Sequence, residues 1–95
     1  MAETLVPAQP DTVDEQDTDV GTPVRVLLFN DEVHTFDEVI NQIIKATGCP
    51  QAKAEALTWE VHTRGKAMVF EGPMKDCIRV SGVLEEISLH TQIEV

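Results

Sequence analysis

Three rhythms of apolar and polar residues run along this chain, and the changes between them mark its elements. Val24-Arg25-Val26-Leu27-Leu28-Phe29 is largely apolar and β-branched, which predicts a strand. Asn30-Asp31-Glu32 interrupts it with residues suited to a turn. Phe36, Val39, Ile40, Ile43 and Ile44 then recur at the i, i+3, i+4, i+7, i+8 spacing of an amphipathic helix. Thr35-Phe36-Asp37-Glu38 forms a capping box at its start: the Thr35 hydroxyl accepts from the Glu38 N–H, and the Glu38 side chain accepts from the Thr35 N–H. Gly48 supplies the left-handed residue that ends such a helix.

Pro50 favours a second helix start, and Gln51 to Arg64 carries Ala54, Leu57 and Val61 along one stripe up to Gly65. Lys66 to Phe70 reads as a second strand. Gly72-Pro73 opens a third helix, with Met74, Cys77, Ile78, Leu84 and Ile87 expected to face inward. Gly82 weakens this helix by about 1 kcal/mol relative to alanine. At the end of the chain Leu89, Thr91, Ile93 and Val95 alternate with His90, Gln92 and Glu94, the pattern of a half-buried strand. The order is β-α-α-β-α-β. It predicts an α+β fold, a three-stranded antiparallel sheet covered by three helices.

Length and charge refine this picture. A chain of 95 residues suggests one domain, and a domain that small buries only roughly 60% of its unfolded surface, so one modest core is expected. Residues 1–22 carry six acids and no Lys or Arg, out of a formal net charge of −10. They bury almost nothing and are expected to form a disordered acidic extension, leaving residues 23–95 as the folded core domain. Acidic balance without clustered Lys or Arg argues against nucleic acid as a partner. No apolar run is long enough to span a membrane. The first residues lack the basic and apolar regions of a secretory signal. Two cysteines outside any CxxC pair fit a reducing compartment. A cytoplasmic protein is expected.

Candidate chemistry is sparse. His34, His62 and His90 follow one another at intervals of 28 residues, which match no common zinc motif. Cys49 and Cys77 fall at positions expected to pack, where thiols are usually inert. There is no Gly-rich phosphate loop and no nucleophile elbow. No enzyme activity, metal or cofactor is expected. What stands out is the Asn30-Asp31-Glu32 turn, His62 near a helix end, and apolar side chains suited to line a pocket between them: Phe36, Val39, Val61 and Leu89.

Two strings link these features. Val26 to Glu32 followed by Thr35 to Ile40 resembles the strand, Asn-Asp turn and capped helix of the ClpS adaptors. Val61-His62-Thr63-Arg64-Gly65-Lys66-Ala67 resembles their second signature, a Val-His pair before Gly-Lys-Ala, and Leu89 to Glu94 is similar to their last strand. The likeness spans about residues 24–95 in order and spacing. It implies a protein that binds bulky hydrophobic N-terminal residues and delivers their bearers to a ClpA-type AAA+ unfoldase and its protease. Asn30, Asp31 and His62 would then hold the α-ammonium. Phe36, Val39, Thr58, Val61 and Leu89 would line the side-chain pocket. Arg79 would stand on the face that meets the N-terminal domain of the unfoldase, and a monomer is expected. Thr58 stands where the family commonly carries Met and widens the pocket, while Phe36 replaces another Met and partly refills it. The wider lining favours a larger ring such as Trp. It also leaves open an alternative, a module that docks on the unfoldase without binding N-termini.

Overall fold

A computed structural model describes residues 22–95. The expected acidic extension therefore lies outside the described residues, Thr22 excepted. The elements are β1 (Val24–Phe29), α1 (Phe36–Thr47), α2 (Gln51–Arg64), β2 (Lys66–Gly72), α3 (Met74–Glu85) and β3 (Thr91–Glu94). The first strand lies at the centre: the sheet order is β2-β1-β3, and both neighbours run antiparallel to β1. The α+β fold read from the chain is the fold observed.

Central placement explains the composition of β1. Its backbone is paired along both edges, and alternate side chains leave opposite faces of the sheet. Val26 and Leu28 are fully buried and join Ile43 of α1, Ala54 and Val61 of α2, and Cys77, Val80 and Leu84 of α3 in one core. Leu27 points the other way and is shielded across the strands by Met68 and Gln92. The register with β2 shifts between Val26 and Leu27, so Val69 enters as the extra residue of a bulge. Ala67 and Val69 are both buried in the core.

Local rules account for the helices. The capping box at α1 is formed, with Glu38 N donating to Thr35 Oγ1 at 3.1 Å and Thr35 N donating to Glu38 Oε1 at 2.8 Å. Gly48 closes α1 with φ 75° and Gly65 closes α2 with φ 90°, values that side chains rarely tolerate. Gln42, buried on α1, donates to the Val83 carbonyl at 2.6 Å and ties α1 to α3.

Several details differ from the sequence reading: β3 begins at Thr91, after Leu89 and His90, and α3 ends at Glu85, before Ile87. Ile78 does not face inward; it is 57% exposed. The buried stripe of α3 is Cys77, Val80 and Leu84, and Ile78 lies about 100° round the helix from Cys77. Val95 is 83% exposed because pairing of β3 ends at Glu94, opposite Arg25. Strand β2 runs past Phe70 to Gly72, drawn on by pairing with Val24 and Arg25.

Candidate functional site

Two backbone hydrogen bonds beyond the sheet ladders build the site. Phe29 N donates to the His90 carbonyl at 3.0 Å, and Asn30 N donates to the Gly65 carbonyl at 2.9 Å. They pin the end of β1 against the end of α2 and the segment entering β3. The three ends surround a cavity of about 240 Å³. That is below the roughly 300–1,000 Å³ of sites for drug-sized ligands, and suits one side chain.

The cavity has an apolar base and a polar rim. Leu28, Thr58, Val61 and Leu89 line it and are buried, with Val39 half-buried beside them. Asn30, Glu32, Thr35 and His62 also line it and are exposed, while Asp31, His34 and Phe36 are half-buried. All eight residues singled out for a ligand (Asn30, Asp31, His62, Phe36, Val39, Thr58, Val61, Leu89) thus meet around one cavity. Ser88, in a left-handed conformation at φ 68°, turns the chain out of α3 just before Leu89.

Thr58 is less polar toward the cavity than its side chain suggests. Its hydroxyl donates to the Ala54 carbonyl one turn back at 2.8 Å, so the hydrogen bond is made within α2. The Phe36 ring packs edge-on against His62, centroids 5.3 Å apart, beside the cavity that both line.

Asp31 is more committed than expected. Oδ1 accepts from the N–H groups of Val33 and His34, the latter at 3.0 Å, and Oδ2 pairs with His34 Nδ1. A carboxylate offers about four acceptor sites, and three are taken within its own turn. That leaves about one acceptor site uncommitted on a carboxylate held in place by its turn. The Val33 N–H, first, and the His34 contacts hold its pKa below the ordinary carboxylate value. His34 is one of the lining residues that sequence reasoning missed, with Leu28, Phe29 and Thr35. Its signal was the Asp31-x-x-His34 spacing inside a turn. The hydrogen bond to Asp31, the charges of Asp31 and Glu38 and the Ile87 carbonyl raise the His34 pKa against partial burial.

These shifts have opposite consequences for pH. The raised His34 stabilises the turn below the ordinary histidine range, and that contribution is lost as pH rises through the raised value. The lowered Asp31 stabilises it above the ordinary carboxylate range, and that is lost as pH falls through the lowered value. The rim is held best between the two. In an NMR titration the His34 ring is expected to turn over above 6.5 and to move back down in Asp31→Asn. A midpoint at or below 6.5 in the unsubstituted protein contradicts this pairing.

Arg79 stands elsewhere, and does not line the cavity. Its Nη1 donates to the Ala46 carbonyl at 3.1 Å, at the end of α1, and its Nη2 lies 3.9 Å from Asp76 Oδ1 one turn earlier. Burial pushes the Cys77 thiol up, and Cys77 Sγ donates to the Val24 carbonyl at 3.4 Å. Among the described residues no three His, Cys, Asp or Glu side chains gather as metal ligands, and no helix is long and apolar enough to cross a membrane.

A small sheet roofed by helices, with acceptors ringing a side-chain-sized apolar cavity, defines a binding domain. Its fold is similar to that of Agrobacterium tumefaciens ClpS2, solved bound to L-phenylalaninamide, with a TM-score of 0.68 over 76% of this chain and 96% of that one. Identity there is 14%, so this likeness concerns the fold. Residues 21–92 match the family described as ATP-dependent Clp protease adaptor protein ClpS, and the chain belongs to that family. It is also similar to the E3 ubiquitin-protein ligase UBR2 of Homo sapiens, 33% identical over 82 residues and 86% of this chain. The mouse UBR2 is 36% identical over 58 residues, 61% of this chain. The match spans only 4% and 3% of the two ligases' own lengths.

Proposed function

We propose that this chain is an adaptor that grips bulky hydrophobic N-terminal residues of other proteins, and is not an enzyme. The observation that carries the reading is the convergence of Asn30, Asp31 and His62 at the mouth of a cavity floored by Leu28, Thr58, Val61 and Leu89. A protein N-terminus presents an α-ammonium and a first side chain. The Asn30 side-chain carbonyl and a bare nitrogen of neutral His62 accept from the ammonium, and the Asp31 charge adds an attractive field. Blocked or internal residues lack that charge, so selectivity for chain ends follows. Burial of the first side chain contributes about 1.5–3 kcal/mol. Phenylalaninamide, the molecule bound to ClpS2, carries the same free amine and apolar ring.

The second half of the reading is delivery. The face of α3 that carries Arg79 is the proposed docking surface for the N-terminal domain of a ClpA-type unfoldase. It lies apart from the cavity, which leaves both partners room. The cytoplasm, with the protein acting as a monomer, is the setting in which this adaptor works.

A panel of peptides differing only in residue one tests the reading. Phe-, Trp- and Leu-led peptides are expected to bind at least tenfold more tightly than a Gly-led one. Because Thr58 keeps the wall small, Trp is expected to bind at least as well as Leu. Equal affinities across the panel defeat the adaptor reading in favour of docking alone, and a preserved order of Leu and Phe ahead of Trp defeats the role given to Thr58.

A further inference from the structure

Trp59 is 58% exposed, a large apolar side chain left on the surface of α2 one residue from the cavity wall. It is also the single tryptophan of the chain. Its position on the helix explains the exposure: Ala54, Leu57, Thr58 and Val61 form the buried stripe, and residue 59 falls off it. Yet the ring is not isolated. It packs edge-on against Phe36 with centroids 4.8 Å apart, and against His62 at 6.0 Å. Phe36 and His62 both line the cavity. The three rings therefore make one aromatic surface that begins inside the pocket and continues out past its rim.

We infer that Trp59 is a second subsite, a shelf for the side chain of residue two of the polypeptide whose first residue fills the cavity. This rests on the N-terminal binding reading above and deepens it. If the ammonium is held at Asn30 and His62, the chain must leave the cavity over the rim. The next Cα follows the first by about 3.8 Å, a step of the same order as the 4.8 Å between the edge-on rings of Phe36 and Trp59. A flexible or small second residue gains nothing from the shelf. An aromatic second side chain covers exposed indole and makes an offset or edge-to-face pair with it. The chemical class selected is thus a chain end with a bulky apolar first residue and an aromatic second one.

Two peptides, one beginning Phe-Phe and one beginning Phe-Gly and otherwise identical, separate the shelf from the pocket. The unsubstituted protein is expected to bind the Phe-Phe peptide roughly three- to tenfold more tightly. Trp59 emission is expected to shift to the blue with Phe-Phe, and less with Phe-Gly. In Trp59→Ala the ratio of the two affinities is expected to fall to about one, and in Trp59→Phe to recover in part. Equal affinities for the unsubstituted protein overturn the shelf, as does a ratio that survives Trp59→Ala because both peptides lose equally. Those results leave first-residue binding standing. Failure of both peptides to bind the unsubstituted protein overturns the pocket reading and the shelf with it.

Discussion

Replacing Asn30 by Ala together with His62 by Phe is expected to lower affinity for a free Phe-led peptide by roughly three orders of magnitude. Hydrogen bonds to a charged group contribute about 1.5–3 kcal/mol each, and each residue is assigned one acceptor for the ammonium. Either single substitution then costs on the order of 10- to 100-fold. Phenylalanine is chosen at position 62 because the His62 ring packs on Phe36 and Trp59. A ring without an acceptor keeps that packing while removing the hydrogen bond. An N-acetylated peptide is the control. It has no ammonium to lose, so its weak binding should be nearly the same for all variants. Calorimetric titration of both peptides decides the matter: if the free and acetylated peptides lose affinity in equal measure, Asn30 and His62 are supports of the wall and do not read the amine.

The parts of the fold that the chain announces are those governed by local rules. The capping box at Thr35 and Glu38, the closing glycines 48 and 65 and the stripe at Ala54, Leu57 and Val61 each depend on residues within a turn or two of each other. All of them are formed. Ile78 and Val95 are misplaced by the same reasoning for a physical cause. Periodicity states that one face is buried but leaves its phase open by a residue, and the phase of α3 is set by packing on β1 and α1. The fate of Val95 depends on where pairing with β1 stops, and Arg25 opposite Glu94 lies 69 residues away in sequence. Long-range register has no local signature.

The site divides along the same line. Neither the turn at Asn30 nor the helix end at His62 contains any reason to meet the other. What joins them is the hydrogen bond from Asn30 N to the Gly65 carbonyl, a contact between distant segments. Only the paired family strings made that meeting legible. The Asp31–His34 pair was only half legible: the spacing permits it, but a carboxylate can satisfy its own turn or face outward, and the sequence does not distinguish the two. On the proposed reading this divides the labour at the rim: Asp31 organises the turn and supplies charge, and Asn30 and His62 would be the direct acceptors of the ammonium.

Leu28 couples the fold to the site most tightly, and Leu28→Ala is expected to expose that coupling. The side chain is fully buried in the central strand and lines the cavity as well. Truncation removes core contacts and leaves a void, at a cost of about 2–5 kcal/mol. A whole domain is stable by roughly 5–15 kcal/mol, so a large share disappears. For a domain of this size each kcal/mol lowers the melting temperature by about 4–8 °C, and a fall of 10 °C or more is expected in a thermal melt. Because the folded state alone carries the cavity, a ligand that fills it stabilises the variant by mass action. Saturating Phe-led peptide is therefore expected to raise the melting temperature of Leu28→Ala, while the acetylated peptide does so far less. A variant that melts with the unsubstituted protein shows that Leu28 is not a keystone of the core. One that is destabilised yet indifferent to the free peptide shows that the cavity above Leu28 is not where the first residue sits.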